Sequence, residues 1–491
     1  NLVNLLPEAQ ARRFRAVVLD EIDGRLQIGF VDPTDLQAYD DIARLVRREI
    51  DIAVVAESQL LALIDRVYRR TEEISGLAKE LTADLGDVPV EFGDLLGTAP
   101  GAEEAPVVKL LQTVFEEAMR SRASDIHIEP QDRSLRVRFR IDGVLHVQME
   151  ADAKIASALA LRLKLMSGLD ISDKRLPQDG RITFRLSGQD MDIRVSTAPG
   201  VHGESIVMRL LPKNRGTLSL EKLGFEPDHL SLLHSWLACP NGIVLVTGPT
   251  GSGKSTTLYA ALEAMRDGSN KIITVEDPVE YQVSGVTQIQ AHNEIGYTFS
   301  RALRAILRQD PDTIMIGEIR DLDTAQIAIQ SALTGHLVLS TLHTNDAASA
   351  FTRLVDMGLE PFLVAASVRG VQAQRLVRRL CEQCAVEDDH PLLPQGWSSS
   401  QPAFAAANWK KAVGCPHCHH TGYRGRLGIY ELVALDGELQ QLVNRQAPLQ
   451  EIKSLIRQQG QRTLFEDGLI KASRGLTSIE EVMRVAYVEH D

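Results

Sequence analysis

The sequence has no apolar run approaching the ~18 residues that a membrane-crossing helix needs, so no transmembrane helix is expected. No signal peptide is visible. The chain starts at Asn1 rather than Met, so a preceding segment is expected to be missing. A basic stripe is also lacking. The 53 Lys and Arg are outnumbered by 66 Asp and Glu, for a formal net charge of −13. Residues 72–104 alone hold nine acids against one lysine, which is most of that excess. A sequence-independent nucleic-acid motor needs phosphate-facing cations, and the weak basic character speaks against one. Glycine and proline are too few for a disordered chain, and no internal repeat or low-complexity tract occurs outside the acidic stretch. Cysteine is scarce. Four of the five form two C-x-x-C pairs, and the lone Cys239 reads as a small buried apolar residue.

What remains is an ordinary globular composition, 44% hydrophobic and 24% charged, in 491 residues. That length suits three or more domains. Residues 1–71 alternate strand-like and helix-like patterns and read as a small α/β module. Residues 72–104 read as an acidic linker. From 105 to 213, an amphipathic helix over 107–121 precedes strands at 125–129, 135–140, 181–185, 191–195 and 205–210. Apolar and charged residues alternate along them, so each strand has one buried and one wet face. Their many arginines leave room for an anion-facing role. A Pro212–Gly216 hinge opens a domain over 217–380 in which strands alternate with helices, predicting a mostly parallel sheet. Residues 381–423 read as a loop-rich insert, and 424–491 as a C-terminal subdomain that is mostly helical from Glu431.

The stretch Gly248-Pro249-Thr250-Gly251-Ser252-Gly253-Lys254-Ser255, followed by Thr256, fits the phosphate-binding loop G-x-x-x-x-G-K-S/T. Ile243–Val246 before it reads as a buried strand, and the residues after it as a helix. Glycines let backbone N–H groups curl around phosphates without Cβ clashes, and the helix N-terminus adds positive potential. Lys254 can reach the β- and γ-phosphates of ATP, and Ser255 can ligate Mg²⁺. Three later strands end in chemistry-bearing residues. Ile272–Val275 runs into Glu276, Asp277 and Glu280. Thr313–Ile316 runs into Glu318, Arg320 and Asp321. The third strand lies between His336 and His343. At the carboxyl edge of a parallel sheet such residues meet ligands.

These segments resemble the type II secretion and type IV pilus assembly ATPase family. The likeness rests on the Walker A loop at 248–255, an aspartate box at 274–280, a Walker B segment at 313–321 and a histidine box at 335–346, and it extends from about residue 105 to the C-terminus. The preceding module resembles the N-terminal domain of secretion and mannose-sensitive-haemagglutinin-type pilus ATPases. The resemblance implies an α/β fold: a RecA-like P-loop core after a PAS-like domain, with a zinc-binding insert and a helical C-terminal region. It implies that Glu276 polarises the attacking water, that Glu318 supports Mg²⁺, and that His336 and His343 sense the γ-phosphate. Arg194, Arg209, Arg304, Arg308 and Arg320 match the family's phosphate-contacting arginines. It implies a cytoplasmic homo-hexamer, peripheral at the inner membrane, acting with a platform protein and a membrane-anchored assembly protein and without nucleic acid. Cyclic di-GMP is expected as a ligand only where leucine-rich motifs upstream of Asn1 are present.

Cys381-Glu-Gln-Cys384 and Cys415-Pro-His-Cys418 are two knuckles separated by thirty residues. Four thiolates so paired suit tetrahedral Zn²⁺ in a closed structural site rather than two disulfides. The separation is longer than in a typical zinc ribbon, so the residues between must loop out. His417, His419 and His420 are read as spare.

Overall fold

The computed structural model describes residues 5–63 and 106–486, except 7, 23–24, 47, 58, 61–62, 187–188, 213–218, 394–396, 398–403 and 405–406. The acidic linker and most of the Pro212–Gly216 hinge therefore lie outside the described residues. Two compact units result, one of residues 1–212 with 415–420 and one of residues 213–414 with 421–491.

In the first unit, α1 (Glu8–Phe14), β1 (Ala16–Ile22), β2 (Arg25–Phe30), α2 (Leu36–Val46) and β3 (Ile50–Val54) form the small module. β2 is central, antiparallel to β1 and parallel to β3. Leu26, Ile28 and Phe30 of β2 join Ile42 of α2 in one core. A second layer pair follows: α3 (Pro106–Arg120), β4 (Asp125–Pro130), β5 (Ser134–Ile141), β6 (Val144–Asp152), α4 (Ala156–Met166), β7 (Gln178–Leu186), β8 (Gln189–Gly200) and β9 (Gly203–Pro212). The strands make an antiparallel sheet in the order β6-β5-β4-β9-β8-β7. Leu135, Val137 and Phe139 of β5 point into a core shared with Leu110, Val114 and Leu159 of the helices. The alternating pattern thus places these strands correctly. It misses β6, an edge strand that buries only Met149 and so carries no alternation. The arginines on the wet face mostly meet acids: Arg136 pairs with Glu150, Arg138 with Glu129, and Arg181 with the buried Asp192.

The second unit runs α5 (Pro227–Leu237), β10 (Gly242–Thr247), α6 (Lys254–Met265), β11 (Ile272–Glu276), β12 (Thr287–Gln290), α7 (Phe299–Ile306), β13 (Thr313–Ile316), α8 (Leu322–Leu333), β14 (Leu337–Leu342), α9 (Ala348–Asp356), α10 (Pro361–Ser367) and β15 (Val368–Leu380). Next come β16 (Val386–Glu387), β17 (Lys410–Lys411), β18 (Tyr423–Ala434), α11 (Gly437–Asn444), α12 (Leu449–Gln458), α13 (Leu464–Ser473) and α14 (Ile479–Ala486). The main sheet has the order β12-β11-β13-β14-β10-β15-β18, parallel throughout except for β18. Every residue of β10 is buried. Ile243 and Leu245 enter one core, Val244 and Val246 the other, because successive side chains leave opposite faces of a strand covered on both sides. Residues 431–434, grouped by sequence with the helical end, instead finish β18. Cys239 is half-buried at the end of α5, not buried as read, and its thiol donates to the Ser235 carbonyl at 3.4 Å.

β18 is locked to the helices behind it by buried charge. Asp467 of α13 accepts the Tyr430 N–H at 2.9 Å and the Lys471 ammonium at 2.6 Å, and Lys471 also donates to the Gly428 carbonyl. Both side chains are almost fully buried, so each supplies the other's counter-charge.

Candidate functional site

Because β11, β13, β14 and β10 are parallel and adjacent, their carboxyl ends lie along one edge. The phosphate loop leaves β10 there. Gly248, Gly251 and Gly253 all have positive φ, 147°, 80° and 90°, a region glycine enters without strain. Gly248 is needed for space as well: a Cβ there would lie 2.5 Å from the Gln374 carbonyl oxygen. Lys254 starts α6, and its ammonium donates back to the Gly248 and Pro249 carbonyls at 2.8 and 3.1 Å. Burial pushes its pKa down, with the Glu318 carboxylate pulling the other way. Ser255 is exposed on the first turn of α6, and Ser252 is buried under the loop.

Glu318 follows β13. Its carboxylate is paired with Arg320 and meets His343 Nε2 at 3.1 Å. Burial pushes the Glu318 carboxyl up, but the Arg320 guanidinium and the His343 imidazole outweigh it and hold it below its usual range. Lys254, Glu318, Arg320 and His343 are thereby one electrostatic cluster beside the loop. Glu276, at the end of β11, is buried and takes three donors. Oε1 accepts from Thr274 Oγ1 at 2.6 Å and Gln288 Nε2 at 3.2 Å, and Oε2 accepts from the Tyr259 hydroxyl. Burial first, then the Glu276 charge, push the Tyr259 phenol well up, so it stays a donor.

The other expected residues fall elsewhere. His336 precedes β14 and so stands at its amino end, roughly 23 Å from His343 at ~3.3 Å per residue. Its Nδ1 lies 3.0 Å from the Ser331 carbonyl, and its own carbonyl accepts the Gly242 N–H at the start of β10. Within this chain the two histidines are not brought together. Arg304 and Arg308 lie on the exposed side of α7 and its following turn, with the Arg308 guanidinium on the Arg304 carbonyl at 2.6 Å. Arg194 and Arg209 belong to the first unit, as cross-strand neighbours on β8 and β9. Arg209 Nε is 3.1 Å from Asp125 Oδ1.

Tyr259, Gln288 and Gln374 escape the sequence reading. They lie outside the residues a Walker-type motif specifies, and only the fold brings them to the loop and Glu276. Glu431 was missed too. It is buried on β18 and accepts the Ala347 N–H at 2.9 Å and the Leu464 N–H at 3.4 Å, tying the histidine-box segment to α13.

The four expected ligand cysteines do cluster. The Sγ atoms of Cys381, Cys384, Cys415 and Cys418 all lie within 4.8 Å of one another. Cys415 and Cys418 are 3.8 Å apart, too far for a disulfide and close to the roughly 3.8 Å edge of a tetrahedron with Zn–S bonds of about 2.3 Å. The donor set therefore fits zinc.

With this geometry in place, the chain can be compared with known proteins. Residues 101–484 match the profile of the type II/IV secretion system protein family, and residues 1–74 match the MshEN domain. The chain belongs to the type II/IV secretion system protein family. Its second unit contains a RecA-like fold of that class. Among its relatives, it is 48% identical to the type II secretion system protein HxcR of Pseudomonas aeruginosa, over 98% of this chain and 99% of that one. It is 42% identical to the type IV pilus assembly ATPase PilB of Myxococcus xanthus, over 98% of this chain and 86% of that one. The crystal structure of the pilus retraction motor PilT with bound ADP is similar at a TM-score of 0.51 and 27% identity, covering 76% of this chain and 96% of PilT. Among the described residues, no helix is long and apolar enough to cross a membrane.

The buried Glu431 makes stability depend on pH. Burial, chiefly, pushes its carboxyl up to about 7 against the opposing Ala347 N–H. The folded protein therefore keeps a proton that the unfolded chain releases near 4.5, and stability falls as pH rises from there to about 7, then levels off. Glu431→Gln should flatten that slope, at a cost at every pH because its NH₂ must face one of the two N–H donors. Urea melts of both proteins at pH 5, 6, 7 and 8 measure it.

Proposed function

We propose that this protein hydrolyses ATP to power assembly of a type II secretion pseudopilus or a type IV pilus, as a cytoplasmic homo-hexamer held at the inner membrane by a platform protein and a membrane-anchored assembly protein. The observation that carries this reading is the cluster of Lys254, Glu318, Arg320 and His343 at the carboxyl edge of the sheet, around a glycine loop shaped for phosphates. In this reading the loop N–H groups and Lys254 hold the β- and γ-phosphates. Ser255 would ligate Mg²⁺, which would neutralise phosphate charge, and Glu318 would support that ion. His343 reads the γ-phosphate through its contact with Glu318. His336 enters only as the far anchor of β14.

Glu276 is proposed to polarise the attacking water. Its three donors leave one acceptor site, on Oε2 beside the Tyr259 hydroxyl, for that water. Arg194, Arg209, Arg304, Arg308 and Arg320 are proposed to meet the phosphates within the ring. An added cation is worth ~10³-fold or more to phosphoryl transfer. Four cysteine thiolates are proposed to hold one Zn²⁺ that shapes the insert and takes no part in hydrolysis.

Lys254→Ala removes the point charge on the β- and γ-phosphates. Hydrolysis should vanish while circular dichroism stays that of the parent; near-normal phosphate release would sink the reading. Glu276→Gln keeps the shape but cannot take a proton. ATP binding should persist and turnover fall ~10²-fold or more. If Glu318→Gln alone is dead while binding Mg²⁺–ATP normally, the base is Glu318. For the metal, elemental analysis of protein purified without chelator should give one zinc per chain. Cys384→Ser should expose the insert to protease before it weakens ATP binding, since metal binding there is folding free energy. Zinc-free protein, or a variant as protease-resistant as the parent, would refute the site.

A further inference from the structure

A trans peptide carries its carbonyl and its N–H on opposite sides. In the peptide joining Ser252 to Gly253, the carbonyl is turned toward β15 and accepts from Gln374 Nε2 at 2.8 Å. The Gly253 N–H must then point away from β15. Gln374 is buried, only 2% exposed, so water cannot replace it. Its amide cannot turn over either. Oε1 takes Thr257 Oγ1 at 2.8 Å and Gln372 Nε2 at 2.8 Å. A flip would aim the NH₂ at those two donors and leave the Ser252 carbonyl facing an oxygen.

The rest of Gln374 also shapes the loop. Its carbonyl oxygen fills the space beside Gly248, and its Nε2 sits 3.2 Å from where a Cβ on Gly253 would lie. Through Thr257 it holds the first turn of α6. One residue thus touches the first glycine of the loop, its last glycine, the carbonyl between them and the helix that follows. It reaches them because β15 pairs in parallel with β10, setting Ala373 opposite Thr247 where the loop begins.

We propose that Gln374 is a positioning residue of the phosphate loop: by holding the Ser252 carbonyl it aims the Gly253 N–H, and so sets the affinity for the phosphates of nucleoside di- and triphosphates. This rests on the reading of the loop as the nucleotide site. The grip acts on ADP and ATP alike, in the bound ground state and the transition state. Its loss should raise KM for ATP more than it lowers kcat.

The test is binding of a fluorescent ADP analogue to the full chain, with Gln374→Glu and Gln374→Met, at pH 8 and pH 6. Gln374→Glu keeps the shape and both acceptor contacts, but its ionised carboxylate cannot donate to Ser252. At pH 8 both variants should bind about tenfold more weakly, the usual cost of an orphaned buried acceptor. At pH 6 Gln374→Glu should regain affinity toward the parent, because a protonated carboxyl donates again, while Gln374→Met should not. A merely structural role would lower the active fraction and so kcat, whereas the lost grip raises KM. Parent-like affinity of Gln374→Met at pH 8 overturns the proposal, as does a Gln374→Glu variant that binds no better at pH 6 than Gln374→Met. If Gln374→Met fails to fold, Gln374→Glu decides alone. Failure of the parent itself to bind the analogue would instead overturn the nucleotide reading.

Discussion

The parallel register of β11, β13, β14 and β10 is the constraint from which the site follows. A parallel sheet must be covered on both faces, and here two apolar cores take alternate residues of β10. With both faces closed, only the strand edges are open to ligands. The carboxyl edge gathers the ends of four strands in one place, which brings a lysine, a carboxylate, an arginine and an imidazole from distant parts of the chain beside one loop. The opposite edge holds His336 and Gly242, bound to each other through the backbone.

Buried polar groups then decide how this edge connects to the rest of the unit. Glu276 is tied through Tyr259 to the helix behind the phosphate loop and through Gln288 to β12. Arg375, next to Gln374 on β15, donates to the Asn345 side chain at 3.1 Å and so reaches the histidine-box segment. Asp346 pairs with Lys453 of α12 at 2.8 Å, and Glu431 joins the same segment to α13. The C-terminal helices are thus bonded to the residues that follow β14.

The resemblance to both secretion and pilus ATPases has a physical counterpart in this arrangement. Lys254, Glu318, Arg320 and His343 all stand at the carboxyl edge of the core sheet. The four-cysteine cluster is separate from the phosphate loop in sequence and holds the knuckles of an insert whose Trp409 packs with Leu469 and Ala472 of α13. Chemistry and attachment surfaces can therefore vary independently on one fold.

Much of this was legible in the sequence because the signals are local. The glycine spacing of the phosphate loop, the apolar runs of β10, β11, β13 and β14, the alternation along β5 and the two C-x-x-C knuckles each report on neighbours a few residues away. What the sequence could not show depends on which strand lies beside which. His336 and His343 flank one short run and look equivalent, yet a strand separates its ends, and only one end is the ligand edge. Residues 431–434 read with the helices that follow, but pairing with β15 makes them strand. Glu276 reads as a free carboxylate until Tyr259, Thr274 and Gln288 are folded against it. Gln374 lies 122 residues from the carbonyl it holds. A local pattern specifies which residues can carry a charge or make a turn. Only the packed sheet decides which of them share an edge, because that is set by long-range strand order and by the buried hydrogen bonds each carbonyl and carboxylate must find.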